Sequence, residues 1–443
     1  RGVVQRHVGN SPGAVGGIEV RTIHAGNETP LLCVRLRRHA ARLWSPALQE
    51  GELAEAYIVE ALRTAGGKRG GALKDWHPAD MGAAVLDALV DKSGIDPAAV
   101  EDVIVGCVSQ IGEQAFHIGR NMVMASKLPD SVPAVSIDRQ CGSSQQSLHF
   151  AAQAVMSGTQ DVVIAAGVES MTRVPMGTPI FLPLQAGIGT GPWPQSIKDR
   201  YGVSEFSQFH GAEAIAGNYQ FTREQLDEFA LSSHRKAAAA TEAGAFEAEI
   251  IPLVILDAEG NESLHVRDEG VRFDASLDGL ANLKTLKPDG VITAGNASQI
   301  CDGASGLLVV SERALKDHGL TPMARVDHLT VTAGDPVIML MEPIPATRRA
   351  LERSGRRIPD IDLYEVNEAF APVPLAWLAE IGADPERLNV NGGAIALGHP
   401  LGASGAKLMA TMVHALRARG GRFGLQTMCE GGGIANVTIV EAL

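Results

Sequence analysis

The chain has 443 residues, 45% of them hydrophobic and 20% charged, with a formal net charge of −13. That length suggests two or three domains and a large core, and the acidic balance argues against non-specific nucleic-acid binding while leaving anion sites at helix N-termini open. Aromatics make up only 4% and glycines number 49, so the core is built from Ala, Val, Leu and Gly in close contact, and no apolar run reaches the length of a membrane span.

Five cysteines, Cys33, Cys107, Cys141, Cys301 and Cys429, are odd in number, widely spread and without a CxxC pair. This usage points to a reducing compartment and to free thiols rather than a disulfide framework or a zinc site. The first fifty residues carry seven Arg, no Lys and three acidic residues. They read as a weakly ordered extension, residues 1–54, or as a transit-type segment, although they are poor in Ser. The compartment expected is the cytoplasm, or an organelle matrix if the extension is a transit segment.

The ordered chain is expected to begin near Ala56, where AYIVEALRT has the β-rich look of a first strand. Ala79 to Lys92 places Met81, Val85, Leu86 and Leu89 at helical spacing. Asp102 to Gln110 and Val132 to Asp138 read as strands, the first buried on both faces. Cys141 then stands where a strand gives way to a helix, Ser143 to Met156, and DVVIAAGVES follows as another buried strand. Strand, turn, helix and strand make a βαβ-type unit, so a mixed or parallel sheet covered by helices is expected.

From Thr172 to Leu283 the texture changes. RVPMGTPIFLPLQAGIGTGPWPQ reads as a long loop, and a charged helix starts at Thr222, a fitting N-cap, with acids early and bases late. This region reads as an inserted cap over the site. Val291 to Val310 returns to the core in strand-like sequence. The last part runs through NEAFA to Asn389–Gly405, seventeen residues with five glycines around a single imidazole, His399. Glycine at that density is costly unless the backbone turns tightly or comes close to something. The following stretch, Ala403 to Arg417, is a helix of small and apolar residues, and FGLQTMC a strand. Cys141, helix, DVVIAAG in the first half parallels His399, helix, FGLQTMC in the second, which predicts a duplicated α/β fold. The domains expected are 55–318, with the cap inserted at about 172–283, and 319–443.

Four groups are candidates for chemistry. A thiolate at Cys141 would be stabilised by the helix N-terminus, which lowers its pKa; the alternative is a small buried hydrophobe. His399 could be the base that activates it. Cys429 ends a strand, and the glycines behind it let backbone N–H groups point at an oxygen, unless they only make a tight connection between strands. Asn367 and Glu368 form a polar pair after an apolar segment, where a helix cap is the alternative.

Together and in this order, these blocks resemble the thiolase family: RQCGSS around Cys141, NEAFA at Asn367 to Ala371, GGAIALGHPLGASG around His399, and CEGGG at Cys429. VESM, TAGNAS and DGAS (Asp302 to Ser305) add to a resemblance that covers Ala56 to Leu443. It implies a duplicated thiolase-like fold, with two mixed-sheet core domains, covering helices and the inserted cap. It also implies Claisen chemistry on coenzyme A thioesters: cleavage of a 3-oxoacyl-CoA by CoA to acetyl-CoA and a shortened acyl-CoA, or the reverse condensation. The alternative within the family is acetoacetyl-CoA formation by an acetyl-CoA acetyltransferase; RQCGSSQQSLHFAA looks more like the thiolases of acyl-chain β-oxidation.

By the resemblance, Cys141 becomes acylated, and His399 activates it and, with a water held by Asn367, stabilises the enolate oxygen. Cys429 moves the α-proton. The N–H groups of Cys141 and Gly431 form a second oxyanion hole, and Ser298 contacts coenzyme A. Coenzyme A is then a substrate, and no metal or redox cofactor is expected. The partners expected are acyl-CoA and CoA, with no nucleic acid or membrane, and a homodimer or homotetramer in which a strand such as DVVIAAG extends across a two-fold interface. A ketoacyl synthase would carry a second His at NEAFA and lack Cys429; a silent acyl-binding relative would have lost Cys141, His399 or Cys429.

Two positions depart from the family pattern: Asp138 stands where Asn is common, and Glu430 stands where a small or apolar residue is usual. A carboxylate close to Cys429 would keep its thiol protonated, fitting it to deliver a proton in cleavage. The reading preferred from sequence has Glu430 facing away, paired with a base or water.

Overall fold

The computed structural model describes residues 54–443, together with a short antiparallel pairing of Val20–Thr22 with Leu32–Val34. The remainder of the expected extension lies outside the described residues. Nine main strands are β1 (Ala56–Thr64), β2 (Asp102–Gly106), β3 (Ala134–Ile137), β4 (Val162–Ser170), β5 (Cys301–Ser311), β6 (Ala324–Ala333), β7 (Leu363–Val366), β8 (Phe423–Glu430) and β9 (Ile434–Ala442). They form one mixed sheet in the order β7-β8-β9-β6-β1-β5-β4-β2-β3.

The duplication lies in that order. Outward from the centre, one half runs β1-β5-β4-β2-β3 and the other β6-β9-β8-β7, joined where Ala324 and Arg325 pair with Ile58 and Tyr57. Beyond β7, Leu388 bridges Tyr364 in parallel, where a fifth strand would lie. Parallel pairing is found between β2 and β3, β2 and β4, and β7 and β8; the other main pairs are antiparallel. The Val-rich runs of β4 and β5 are buried along their whole length, as strands covered on both faces must be.

The helices used below are α1 (Pro78–Ser93), α2 (Ile118–Ala125), α3 (Ser143–Met156), α4 (Arg223–Glu242), α5 (Pro343–Ser354), α6 (Pro372–Ile381) and α7 (Ser404–Arg419). Helix α1 covers β1, β4 and β5 of the first half, and α5 covers β6, β8 and β9 of the second. Between them, α3 and α7 pack on each other and on strands of both halves. Their close approach depends on a glycine: a Cβ at Gly405 would come within 2.2 Å of the Gln145 backbone nitrogen. Ser144 Oγ fixes the register by accepting the Ala406 N–H at 2.9 Å. The small-residue composition of α7 is therefore a packing requirement.

Three sequence expectations need correction. The Pro- and Gly-rich stretch after Thr172 contains two short helices, Thr178–Gln185, with a proline in its first turn, and Gln195–Tyr201, which follows an extended Pro194 at its N-cap. Val291 to Ile300 is irregular, tied by Asn296 to Thr293 and Val291, and the strand begins only at Cys301. The strand carrying DVVIAAG, β4, is paired on both sides and has no free edge to offer a partner; the sheet's free edge on this half is β3. The start of α4 is as expected: Thr222 and Gln225 form a reciprocal capping box, of the kind that contributes about 1 kcal/mol.

Candidate active site

The two halves bring their equivalent strand and helix ends to one place. Cys141 follows β3 through Asp138–Gln140, with Gln140 in the left-handed region at φ 48°. It immediately precedes Gly142, the N-cap of α3. Ser143 holds this turn, its Oγ accepting the Arg139 N–H at 2.9 Å and donating to the Gln140 carbonyl at 2.6 Å. Cys141 is buried in a cluster with Met171, Leu401, Leu408 and Met428, so elements of both halves enclose it.

His399 comes from the loop leading to α7, its backbone N–H donating to the Gln299 carbonyl at 3.0 Å. Its Nδ1 lies 2.5 Å from Ser404 Oγ, and Ser404 Oγ lies 2.9 Å from the Pro400 carbonyl. A carbonyl only accepts, so the hydroxyl proton goes to Pro400 and Oγ accepts Nδ1–H. That fixes the tautomer with a lone pair on Nε2, which accepts from Asn367 Nδ2 at the long distance of 3.5 Å. Burial, aided by the positive charge of Lys407, depresses the imidazole pKa to about 3. His399 is thus a neutral imidazole able to accept a proton. Lys407 also supports the loop, reaching the Leu397 carbonyl at 2.5 Å and Asp268 at 3.3 Å.

Asn367 continues β7, its N–H donating to the Thr427 carbonyl on β8 at 3.1 Å, two residues before Cys429. Its Oδ1 is buried and accepts no hydrogen bond among the described residues. The neighbouring Glu368 accepts from Ser233 Oγ, Asn389 Nδ2 and the Ile395 N–H, at 2.6, 2.8 and 3.1 Å. Asn367 therefore keeps an acceptor open, whereas Glu368 is spent on joining the Ser233, Asn389 and Ile395 segments. Gly431 begins the three-glycine turn after β8; a Cβ there would meet Gln140 Oε1 at 2.9 Å, so it lies against the residue preceding Cys141. Ser298 is half-buried, and its N–H donates to the Ala369 carbonyl at 2.9 Å, beside NEAFA.

Both thiols are pushed up in pKa, which corrects the expectation of a lowered value at Cys141. For Cys141 the causes are burial, then the neighbouring Cys429, then Glu430. Cys429 is raised to about 12 by burial and then Glu430, with hydrogen bonding from Asn367 acting in the opposite direction. A dry site of three acidic groups outweighs the helix terminus. Glu430 itself is fully buried and turned inward against Gly142, not outward toward a base or water.

Sequence reasoning overlooked two residues that hold the site together. One is Ser404, inside the GHPLGASG block. The other is Glu169, in VESM, which accepts from the Val108, Ser109 and Gly402 N–H groups and from Gln114 Nε2, all between 2.9 and 3.0 Å. It thereby ties the first half to the loop carrying His399. The signal for both was present, a polar residue inside an otherwise small and apolar block.

Residues 56–313 match the model of the thiolase N-terminal domain, and residues 320–442 that of the thiolase C-terminal domain. The chain belongs to the thiolase family. A steroid 3-ketoacyl-CoA thiolase of Mycobacterium tuberculosis is 53% identical, over 88% of this chain and 95% of that protein. An acetyl-CoA acetyltransferase of Chromobacterium violaceum is 39% identical, over 87% of this chain and 99% of the relative. The crystal structure of the Bacillus anthracis acetyl-CoA acetyltransferase superposes with a TM-score of 0.80 at 35% identity, covering 88% of this chain and 99% of that one. This thiolase is an acyltransferase with the duplicated thiolase fold.

Proposed function

We propose that this thiolase cleaves a 3-oxoacyl-CoA through an acyl group carried on Cys141, with His399, Asn367 and Cys429 in the remaining roles. The observation that carries the assignment is the His399 tautomer: Ser404 accepts Nδ1–H, leaving the Nε2 lone pair toward Asn367, whose amide also hydrogen-bonds Cys429. Cys141 gives its proton to Nε2 and attacks the 3-oxo carbon. The oxyanion faces the N–H groups of Cys141 and Gly431. Collapse breaks the C2–C3 bond, leaving the acyl group on sulfur and an acetyl-CoA enolate. The enolate oxygen is stabilised by the His399 imidazolium and by a water on the otherwise unpartnered Asn367 Oδ1. Cys429 protonates C2, and acetyl-CoA departs.

The incoming CoA thiol returns a proton to Cys429 and attacks the acyl group, and Cys141 leaves to recover its own proton from His399. Protons balance, and coenzyme A serves as a substrate without any metal or redox cofactor. Ser298, beside NEAFA, is assigned to contact coenzyme A.

The acyl group is assigned to a bulky, steroid-derived class. Support comes from the relative named a steroid 3-ketoacyl-CoA thiolase, at 53% identity against about 40% for relatives named simply 3-ketoacyl-CoA thiolase. The cap adds apolar surface: Phe181, Leu182 and Ile188 are exposed, and Phe209 packs edge-on to Phe370, three residues beyond Asn367, with ring centroids 5.5 Å apart. Kinetics with 3-oxoacyl-CoA esters of graded length and ring content test this; equal kcat/KM for a four-carbon and a ring-bearing ester refutes it. We take the domain division as 55–318 and 319–443 and the compartment as the cytoplasm, in keeping with four buried free thiols among the described residues. No helix there is long and apolar enough to cross a membrane.

Mass spectrometry after brief exposure to an acyl-CoA tests the roles. One acyl group is expected on Cys141, lost in Cys141→Ala and retained in Cys429→Ala, which instead slows α-proton exchange. Acylation of Cys107 or Cys301 overturns the assignment.

A further inference from the structure

Glu430 closes β8 beside Cys429, and strand alternation turns its side chain toward α3. Its Oε1 accepts the Asn436 N–H of β9 at 3.2 Å. A Cβ on Gly142 would lie 1.9 Å from the same oxygen. The carboxyl group therefore rests directly on the backbone of the residue after Cys141, at a helix N-cap with no side-chain cap of its own. Only glycine permits that approach. Oε2 is buried and has no hydrogen-bond partner among the described residues.

The groups that act on this carboxyl can be named element by element. The loop before α3 brings Arg139 and Asp138, of which only Arg139 favours the charged form. Cys141 lies in the same loop and Cys429 on the same strand, and β9 contributes the Asn436 N–H. Asp138, the other departure from the family pattern, is held by the backbone and side-chain amides of Gln140, which in turn lies against Gly431. Glu430 thus rests on the backbone next to Cys141 and adjoins Cys429 in the chain, with Arg139 and Asp138 on the loop beside it.

We infer that Glu430 is a positioning residue whose charge governs the ionisation of both site thiols. As the neutral acid it lets Cys141 and Cys429 ionise in turn; as the carboxylate it holds both protonated. The inference rests on the thiol roles proposed above. Burial pushes the Glu430 carboxyl well above the ordinary carboxylate range against the smaller pull of Arg139, and Glu430 adds to burial in raising each thiol, following Cys429 in the case of Cys141. Two neighbouring negative charges cannot both be held in a dry site, so the groups titrate as a unit. During turnover Cys429 gives its proton to the enolate and becomes a thiolate. A charged Glu430 opposes that state and a neutral one does not. The site consequently carries its own alkaline limit, set by a residue that touches no substrate.

The test is the rate of Cys141 alkylation by iodoacetamide across pH, followed on the Cys141 peptide in the full chain. Wild type is expected to show a titration broader than a single proton. Glu430→Gln keeps the size of the side chain and an acceptor for Asn436. It is expected to show a curve displaced to lower pH by about one unit, any breadth that remains coming from Cys429, with roughly a tenfold faster reaction at fixed pH below the midpoint. Superimposable curves overturn the inference, because a purely structural role would alter thermal stability and leave the midpoint in place. Should Glu430→Gln fail to fold, the Cys141 curve of Cys429→Ala decides: breadth beyond one proton that persists without Cys429 is expected, and a single-proton shape overturns the inference. Alkylation reports ionisation whether or not Cys141 carries the acyl group, so this result and the acyl-adduct experiment fail independently.

Discussion

Ser404→Ala removes one hydroxyl and nothing else near the imidazole. In the native site Ser404 Oγ accepts Nδ1–H at 2.5 Å and donates its own hydrogen bond to the Pro400 carbonyl. In the variant two outcomes are open to His399, which is 3% exposed. It can keep its tautomer with Nδ1–H unsatisfied in the interior, or move the proton to Nε2, where it can no longer accept one from Cys141. Leaving a buried donor unpaired costs about 1–3 kcal/mol, which in the barrier is roughly 5- to 150-fold in kcat. KM should change little, since the hydroxyl faces the imidazole and the Pro400 carbonyl. The assay is steady-state thiolysis from pH 6 to 9, with a melting curve to show that the variant is folded. Ser404→Thr, which retains a hydroxyl, should recover much of the rate. A folded Ser404→Ala enzyme with kcat within about twofold of wild type removes the tautomer argument and with it the base assignment.

Two further outcomes follow from the buried imidazoles and the free sheet edge. His149 bridges Thr438 Oγ1 and Asn436 Nδ2 at 2.8 and 3.2 Å, and burial depresses its pKa to about 3. A folded value below the unfolded one means stability is present above pH 6.5 and lost as pH falls from there toward 3. The stability difference between wild type and His149→Gln should move against wild type by about 1.4 kcal/mol per pH unit in that window; a difference flat in pH, measured by urea unfolding, refutes it. The second outcome concerns assembly, where Phe116 (94% exposed), Met124 and Phe150 are exposed and Val135 is exposed on edge strand β3. A second copy is the occupant that would pair this edge and cover those side chains. Light scattering should show at least a dimer for wild type and dissociation for Val135→Lys; a fully active monomer at micromolar concentration refutes it.

How much was legible in the sequence depended on whether a property was local. The N-cap at Thr222, the helix after Cys141 and the buried run of β4 are set by short-range patterns, and they appear where the residues put them. The duplication was visible because each half repeats helix then strand after its reactive residue. What stayed hidden was orientation. Glu430 adjoins Cys429 in the chain, and adjacency in a strand sends side chains to opposite faces. Its inward turn follows from Gly142, 288 residues earlier, having no Cβ. The pKa of Cys141 was likewise misread, because a helix N-terminus is written in the local sequence, whereas enclosure by Met171, Leu401 and Met428 is not. The extended run expected over Val291–Ile300 is replaced by side-chain ties to Asn296, a tertiary choice that propensity does not register.

The inward Glu430 also changes what can be said about direction. A thiol kept protonated is suited to delivering a proton in cleavage, and from the sequence this favours cleavage over condensation. The geometry supports the protonated thiol but not the conclusion. The acid that protonates the enolate in one direction is, by microscopic reversibility, the base that removes the same proton in the other. The ratio of the two overall kcat/KM products is the equilibrium constant of the reaction, which no side chain can alter. Glu430→Gln must therefore move the pH dependence of cleavage and condensation together. What Glu430 can set is the window of pH in which Cys429 cycles between thiol and thiolate, and that window is common to both directions. The net direction of flux then belongs to the concentrations of CoA, acetyl-CoA and 3-oxoacyl-CoA that the enzyme meets.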